Sequence, residues 1–130
     1  MRTKEICHKH GIPILINDRI DIALAIGADG VHLGQTDMPI SVARQLLPKG
    51  AIIGISVSNL DQAKVVIRDG LADYIGIGPV WPTNSKKDIA PLLGPRGIGS
   101  ILDELYGTSI KAVAIGAMTS YYMKRVIDSL

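Results

Sequence analysis

Phenylalanine is absent from this sequence, tryptophan occurs once, and aromatic residues make up only 4% of it. That scarcity argues against a surface on which successive bases could stack. An excess of one charge is also lacking. Fourteen Lys and Arg meet twelve Asp and Glu, and the formal net charge of +2 is too weak to point to nucleic acid. With a single cysteine, Cys7, the chain can form no internal disulfide, which fits a reducing compartment. No apolar run reaches the roughly 20 residues that a membrane-spanning helix needs. No signal peptide is visible, because Met1 opens directly into the charged, helix-type "MRTKEICHKH", and the cytoplasm is the expected location. The stretch "CHKH" (Cys7–His10) lacks the spacing of a metal site.

What is present is a core-forming composition. The 130 residues are 47% hydrophobic and 20% charged, enough for one packed domain. Short β-branched runs recur: "IPILIN" from Ile12, "GVHLG" from Gly30, "AIIGISV" from Ala51, "YIGIGPV" from Tyr74 and "KAVAIGAM" from Lys111. None shows a clean polar alternation, so both faces of the sheet are expected to be buried. Helical patterns alternate with these runs, over Asp21–Ile26, Ile40–Leu47, Leu60–Asp69, Ile98–Tyr106 and Tyr121–Leu130, after a first helix that ends at "KHG" before Pro13. Asn59 is the expected N-cap of the third of these five, and Gly70 its stop. An internal echo, "GADGV" from Gly27 and "GLADYI" from Gly70, places a helix end and an Asp before a strand twice.

Alternating strands and helices with short connections give a parallel α/β fold, with all strand C-termini at one end. An open doubly wound sheet and part of a (β/α)8 barrel both fit. No G-x-G-x-x-G follows the first strand, which disfavours the dinucleotide-binding version. A full barrel takes about 250 residues, so five strands here would be part of one.

Chemistry in such folds collects at the C-terminal strand ends. In chain order these ends supply Asn17-Asp18-Arg19, Gln35-Thr36-Asp37, Ser56-Val57-Ser58, Pro82-Thr83-Asn84-Ser85-Lys86-Lys87 and Gly116-Ala117-Met118-Thr119. Asp18 and Asp37 end successive strands and suit one hard cation such as magnesium, which takes one or two protein carboxylates. Lys86, with Thr83 and Ser85, offers a point charge and hydroxyl donors for a pyrophosphate. Gly116 leaves room for a backbone amide to approach an anion. Each has a plainer reading beside it. Asp18 as a helix cap, Asp37 as a turn residue, the lysine pair as a solvated face and Gly116 as a packing glycine would all be ordinary. His32, between Val31 and Leu33, reads as a core or barrel-interior residue rather than a catalyst.

The long pattern "IPILINDRIDIALAIGADGVHLGQTDMP", followed by "GISVS", "YIGIGPVWPTNSKKD" and "AVAIGAM", resembles the thiamine-phosphate synthase family, also called thiamine-phosphate pyrophosphorylase, over essentially the whole chain. The resemblance implies a (β/α)8 TIM barrel of which residues 1–130 form an incomplete domain, matching strands three to seven. It implies a transferase that joins hydroxymethylpyrimidine diphosphate to hydroxyethylthiazole phosphate, giving thiamine phosphate and pyrophosphate. By the same resemblance Asp18 and Asp37 bind Mg2+, Asn17 and Ser56 contact the diphosphate substrate, and Thr83 and Ser85 hold the thiazole phosphate. Lys86 holds the pyrophosphate, and Lys86 and Ser56 carry the catalysis. Gly116 precedes a position where the family has a second glycine whose amide binds the thiazole phosphate; here it is Ala117. Implied partners are the two small substrates, with no nucleic acid and no membrane, and a homo-oligomer or a fusion with a hydroxyethylthiazole kinase domain. A thiazole tautomerase of the sister family, and an inactive truncated barrel that only binds ligand or another chain, are the alternatives.

Overall fold

Six helices and five strands alternate along the chain in a computed structural model that describes residues 2–81, 92–116 and 118–127, without the side chains of 122, 125 and 126. They are α1 (Arg2–Lys9), β1 (Leu15–Asn17), α2 (Ile20–Ile26), β2 (Gly30–Leu33), α3 (Ile40–Leu46), β3 (Ile52–Val57), α4 (Leu60–Asp69), β4 (Tyr74–Ile77), α5 (Gly94–Leu105), β5 (Lys111–Ala114) and α6 (Ser120–Ile127). All four strand pairings are parallel, and the sheet order is β1-β2-β3-β4-β5. A doubly wound sheet reverses its strand order at a switch point. Strictly sequential order is that of a barrel wall. Among the described residues no helix is long and apolar enough to cross a membrane.

Local chemistry sets most boundaries. α4 starts where the Asn59 side chain accepts the Gln62 N–H at 2.9 Å, and stops at Gly70 in the left-handed conformation, φ +63°. β1 begins later than the apolar run from Ile12 because Pro13 has no N–H to give a ladder and the Ile14 N–H goes to the Asp29 carboxylate. α5 begins at Gly94, earlier than the expected Ile98. Proline is tolerated in a first helical turn, so Pro95 does not break the helix there.

The sequence echo is a repeated fastening. Asp29 Oδ2 accepts the Ile14 N–H at 2.7 Å, and Asp73 Oδ2 accepts the Ile53 N–H at 2.7 Å. Each carboxylate ties the start of one strand pair together. Arg44 reinforces the second, donating to Asp73 (2.8 Å), Ala51 O (2.6 Å) and Leu71 O (2.5 Å). These contacts lie at the N-terminal end of the strands, away from the ends where barrel chemistry collects.

The two faces of the sheet differ, which corrects the expectation that both would be buried. Val31, Leu33, Ile53, Ile55, Val57, Ile75 and Ile77 point to the helices and form two packed clusters with α2–α5. The alternate residues, His32, Gly54, Ser56, Tyr74 and Gly76, share the opposite, inner face. That face opens toward β5, where Val113 is 52% exposed. The polar alternation was disguised: of the five inner positions on β3 and β4, two are glycine and one is Ile52.

Candidate active site

β1 ends in Asn17 and a turn at Asp18, whose φ of +62° is the only positive value among the described non-glycine residues. Asp tolerates this region better than most side chains, and strained backbone concentrates at functional sites. The Asp18 N–H donates to His32 O at 2.9 Å, which binds the turn to β2. Arg19 occupies the N-cap of α2, and its side chain makes no capping hydrogen bond. Arg19 instead pairs with Asp21 at 2.6 Å, and that guanidinium hydrogen bond holds the Asp21 carboxyl at a pKa of about 2.

At the end of β2 the Asp37 carboxylate accepts the Gly34 N–H through Oδ2 at 2.6 Å while its own N–H reaches Gly34 O at 3.3 Å. The turn reading is therefore correct for Asp37. The turn fixes the carboxylate at the end of β2. Gln35 crosses to β3 and donates to Ser56 O at 2.7 Å.

Ser56 sits one residue before the end of β3 on the inner face. Its Oγ lies 2.9 Å from His32 Nε2, and His32 Nδ1 lies 2.7 Å from the Tyr74 hydroxyl. The two rings stand 5.4 Å apart between centroids. Glycines make room for them. A Cβ at Gly54 would overlap the Tyr74 ring, and one at Gly76 would press His32 Cε1 at 3.1 Å. Burial pushes the Tyr74 phenol above its ordinary value, so it stays protonated.

Beyond β5, Gly116 has φ +102°, and a Cβ there would crowd Pro79 and Val80. Both the conformation and the space require glycine. The packing reading holds, and it fastens this end of β5 to the base of the loop after β4. That base is closed by the Leu93 N–H to Pro79 O (3.2 Å) and the Gly94 N–H to Val80 O (3.3 Å). Thr83, Ser85, Lys86 and Ala117, expected at the site, lie outside the described residues.

The structure thus gathers Asn17, Asp18, Asp37, Ser56 and Gly116 at one end of the sheet, as expected. His32 is a barrel-interior residue, as its position suggested, and it also touches Ser56. Tyr74 and Gln35 are the additions. Tyr74 reads from sequence only as the first residue of a strand, and its place opposite Gly54 follows from the register.

The family described as thiamine monophosphate synthase matches residues 1–129. The chain belongs to this family. Thiamine-phosphate synthase of Clostridium botulinum is 48% identical over 126 residues, which cover 97% of this chain and 60% of the relative. The "Probable thiamine biosynthetic bifunctional enzyme" of Schizosaccharomyces pombe is 45% identical over 128 residues, covering 97% of this chain and 24% of the relative. Among solved structures, thiamine phosphate pyrophosphorylase from Pyrococcus furiosus superimposes with a TM-score of 0.80 at 36% identity, over 97% of this chain and 57% of that one. The chain therefore spans about 60% of the length of the C. botulinum and P. furiosus proteins, and about a quarter of the S. pombe one.

Proposed function

We propose that the protein containing this chain joins hydroxymethylpyrimidine diphosphate to hydroxyethylthiazole phosphate, forming thiamine phosphate and pyrophosphate. The observation that carries this reading is the family match over residues 1–129, and the placement of Asn17, Asp18, Asp37 and Ser56 at or just past the C-terminal ends of β1, β2 and β3 supports it. In this reaction the bond from the pyrimidine methylene carbon to the diphosphate oxygen breaks, and its electron pair leaves on pyrophosphate. The thiazole nitrogen lone pair then forms the new carbon–nitrogen bond. Little covalent work falls to the protein, and its part is charge stabilisation and positioning. Asn17 and Ser56 bind and orient the diphosphate substrate, and Lys86 steadies the departing pyrophosphate. Thr83, Ser85 and the backbone at Gly116–Ala117 hold the thiazole phosphate.

The donor set fits magnesium. Asp18 and Asp37 present hard carboxylate oxygens from adjacent strand ends. Magnesium typically takes one or two protein carboxylates, and Asp18 and Asp37 would be the residues that hold it. When bound, it would supply positive charge to the diphosphate oxygens. The bifunctional S. pombe relative supports a longer parent with a second thiamine-biosynthetic activity, which we propose is a hydroxyethylthiazole kinase. Cys7 as the lone cysteine supports the cytoplasm.

The test is thiamine phosphate formation and pyrophosphate release from the two substrates, with and without magnesium, in this chain and in any longer chain containing it. Metal-dependent formation is expected, and it is lost in Asp18→Asn. Unchanged turnover in that variant removes Asp18 from the metal site. The inner-face placement of His32 favours a second reading, a thiazole tautomerase, which would isomerise a thiazole phosphate without releasing pyrophosphate.

A further inference from the structure

We propose that Tyr74 and His32 are positioning residues that hold the Ser56 hydroxyl with its proton turned toward the substrate. This rests on the transferase reading, in which Ser56 contacts the diphosphate substrate. The three side chains come from three adjacent strands. His32 pairs with Gly54 across β2–β3, and Gly54 pairs with Tyr74 across β3–β4. The Tyr74 ring crosses β3 over the bare backbone of Gly54 and brings its hydroxyl 2.7 Å from His32 Nδ1.

The directions of the hydrogen bonds follow from proton inventory. A phenol donates where an acceptor is in reach, and among the described residues the partner of the Tyr74 hydroxyl is Nδ1, which we assign as that acceptor. Nδ1 is then the acceptor, and a neutral imidazole with a bare Nδ1 carries its proton on Nε2. Nε2–H donates to Ser56 Oγ at 2.9 Å and occupies one of its lone pairs. The Ser56 O–H is left to turn elsewhere, while Gln35 anchors the same residue through its carbonyl. Burial, which keeps the phenol protonated, supports the same direction. Were the imidazole free to exchange tautomers, Ser56 would donate to a bare Nε2 part of the time, and its proton would be withheld from a substrate oxygen. Fixing a donor in advance is how polar groups gain leverage on charge that develops during reaction.

Nitrogen-15 NMR of the histidine side chains in the full 130-residue chain reads the tautomer, and His32→Gln identifies the His32 signals by deleting them. The wild-type signals should be those of an Nε2–H imidazole. In Tyr74→Phe, which keeps the ring over Gly54, they should move toward the average of two tautomers. Turnover in Tyr74→Phe should fall roughly three- to tenfold, the worth of one hydrogen bond, with KM for the thiazole phosphate unchanged. In a His32→Gln background, where an amide N–H replaces Nε2–H and no tautomer exists, the Tyr74→Phe change should have no further effect. An Nδ1–H imidazole in the wild type overturns the proposal, as does an equal loss from Tyr74→Phe in both backgrounds. The wild-type spectrum needs no Tyr74 variant, so a misfolded Tyr74→Phe leaves the test intact. Failure of the transferase reading looks different: no thiamine phosphate forms, and the Nε2–H spectrum stands.

Discussion

At the scale of single residues, backbone conformation decides which substitutions can be interpreted. Asp18 holds φ +62°. Asn tolerates that conformation about as well as Asp, whereas most L-residues pay about 1 kcal/mol or more there. Asp18→Asn should therefore melt within a few degrees of wild type while losing metal-dependent turnover. Asp18→Ala should lose both, and only the first variant separates chemistry from folding. Thermal melts alongside turnover assays check the pair. Gly54 offers a purely steric counterpart. A methyl added there meets the Tyr74 ring first, so Gly54→Ala should destabilise by about 1–3 kcal/mol. In a Tyr74→Ala background the same methyl should be nearly neutral. Denaturant unfolding of the four proteins reads this directly, and a similar loss in both backgrounds would mean that the ring is not the obstacle.

At the scale of elements, the strand-end carboxylates at the N-terminal side of the sheet carry a pH dependence. Burial raises the Asp73 carboxyl, but the Arg44 guanidinium and the Ile53 N–H outweigh it and hold it below its ordinary value. A lowered folded pKa means that the carboxylate stabilises the fold above the unfolded value of about 3.9, and that this contribution is lost as pH falls through the folded value. Asp73→Asn should accordingly melt lower at pH 7 and show a shallower fall in melting temperature on acidification below about pH 4. The effect is small, since the pair is solvent-screened. Melting temperatures from pH 7 to 3 test it. This Asp was legible in the sequence as half of an echo, but its partners were not, because Arg44 and Ile53 are remote in sequence. The same distinction runs through the rest. α4 was legible to the residue, because Asn59 and Gly70 act on their own neighbours. α5 was not, because Gly94, Pro95 and Gly97 carry the local signature of a loop while Ile98, Ile101 and Leu105 pack against the sheet and hold the helix. Asp18, Asp37 and Ser56 were legible because strand ends converge by topology. Tyr74 was not, because its role depends on a register that sets it across Gly54 from His32.

At the scale of the whole molecule, the sheet has a stable middle and two weaker sides. β2, β3 and β4 each pair on both sides, and they carry the fully buried Val31, Leu33, Ile53, Ile75 and Ile77. β1 and β5 pair on one side only among the described residues. β1 has three residues, and β5 is exposed through Val113. Protection from amide exchange follows burial and pairing, so local opening should be cheapest at the two sides. In native-state hydrogen exchange of the 130-residue chain, amides of β3 and its neighbours should exchange through near-global unfolding, and those of β5 and β1 through local opening, roughly tenfold or more faster. The site is split by this gradient. His32, Ser56 and Tyr74 sit in the stable middle, while Asn17 and Asp18 sit at one side and Gly116 at the other. Adding the two substrates with magnesium should therefore slow exchange most at β1 and after β5, because a ligand that touches both sides stabilises what is least stable alone. Slowing confined to β2–β4 would place the ligand on the middle strands only, and would detach Asp18 and Gly116 from the site. Equal protection of all five strands without ligand would contradict the gradient itself.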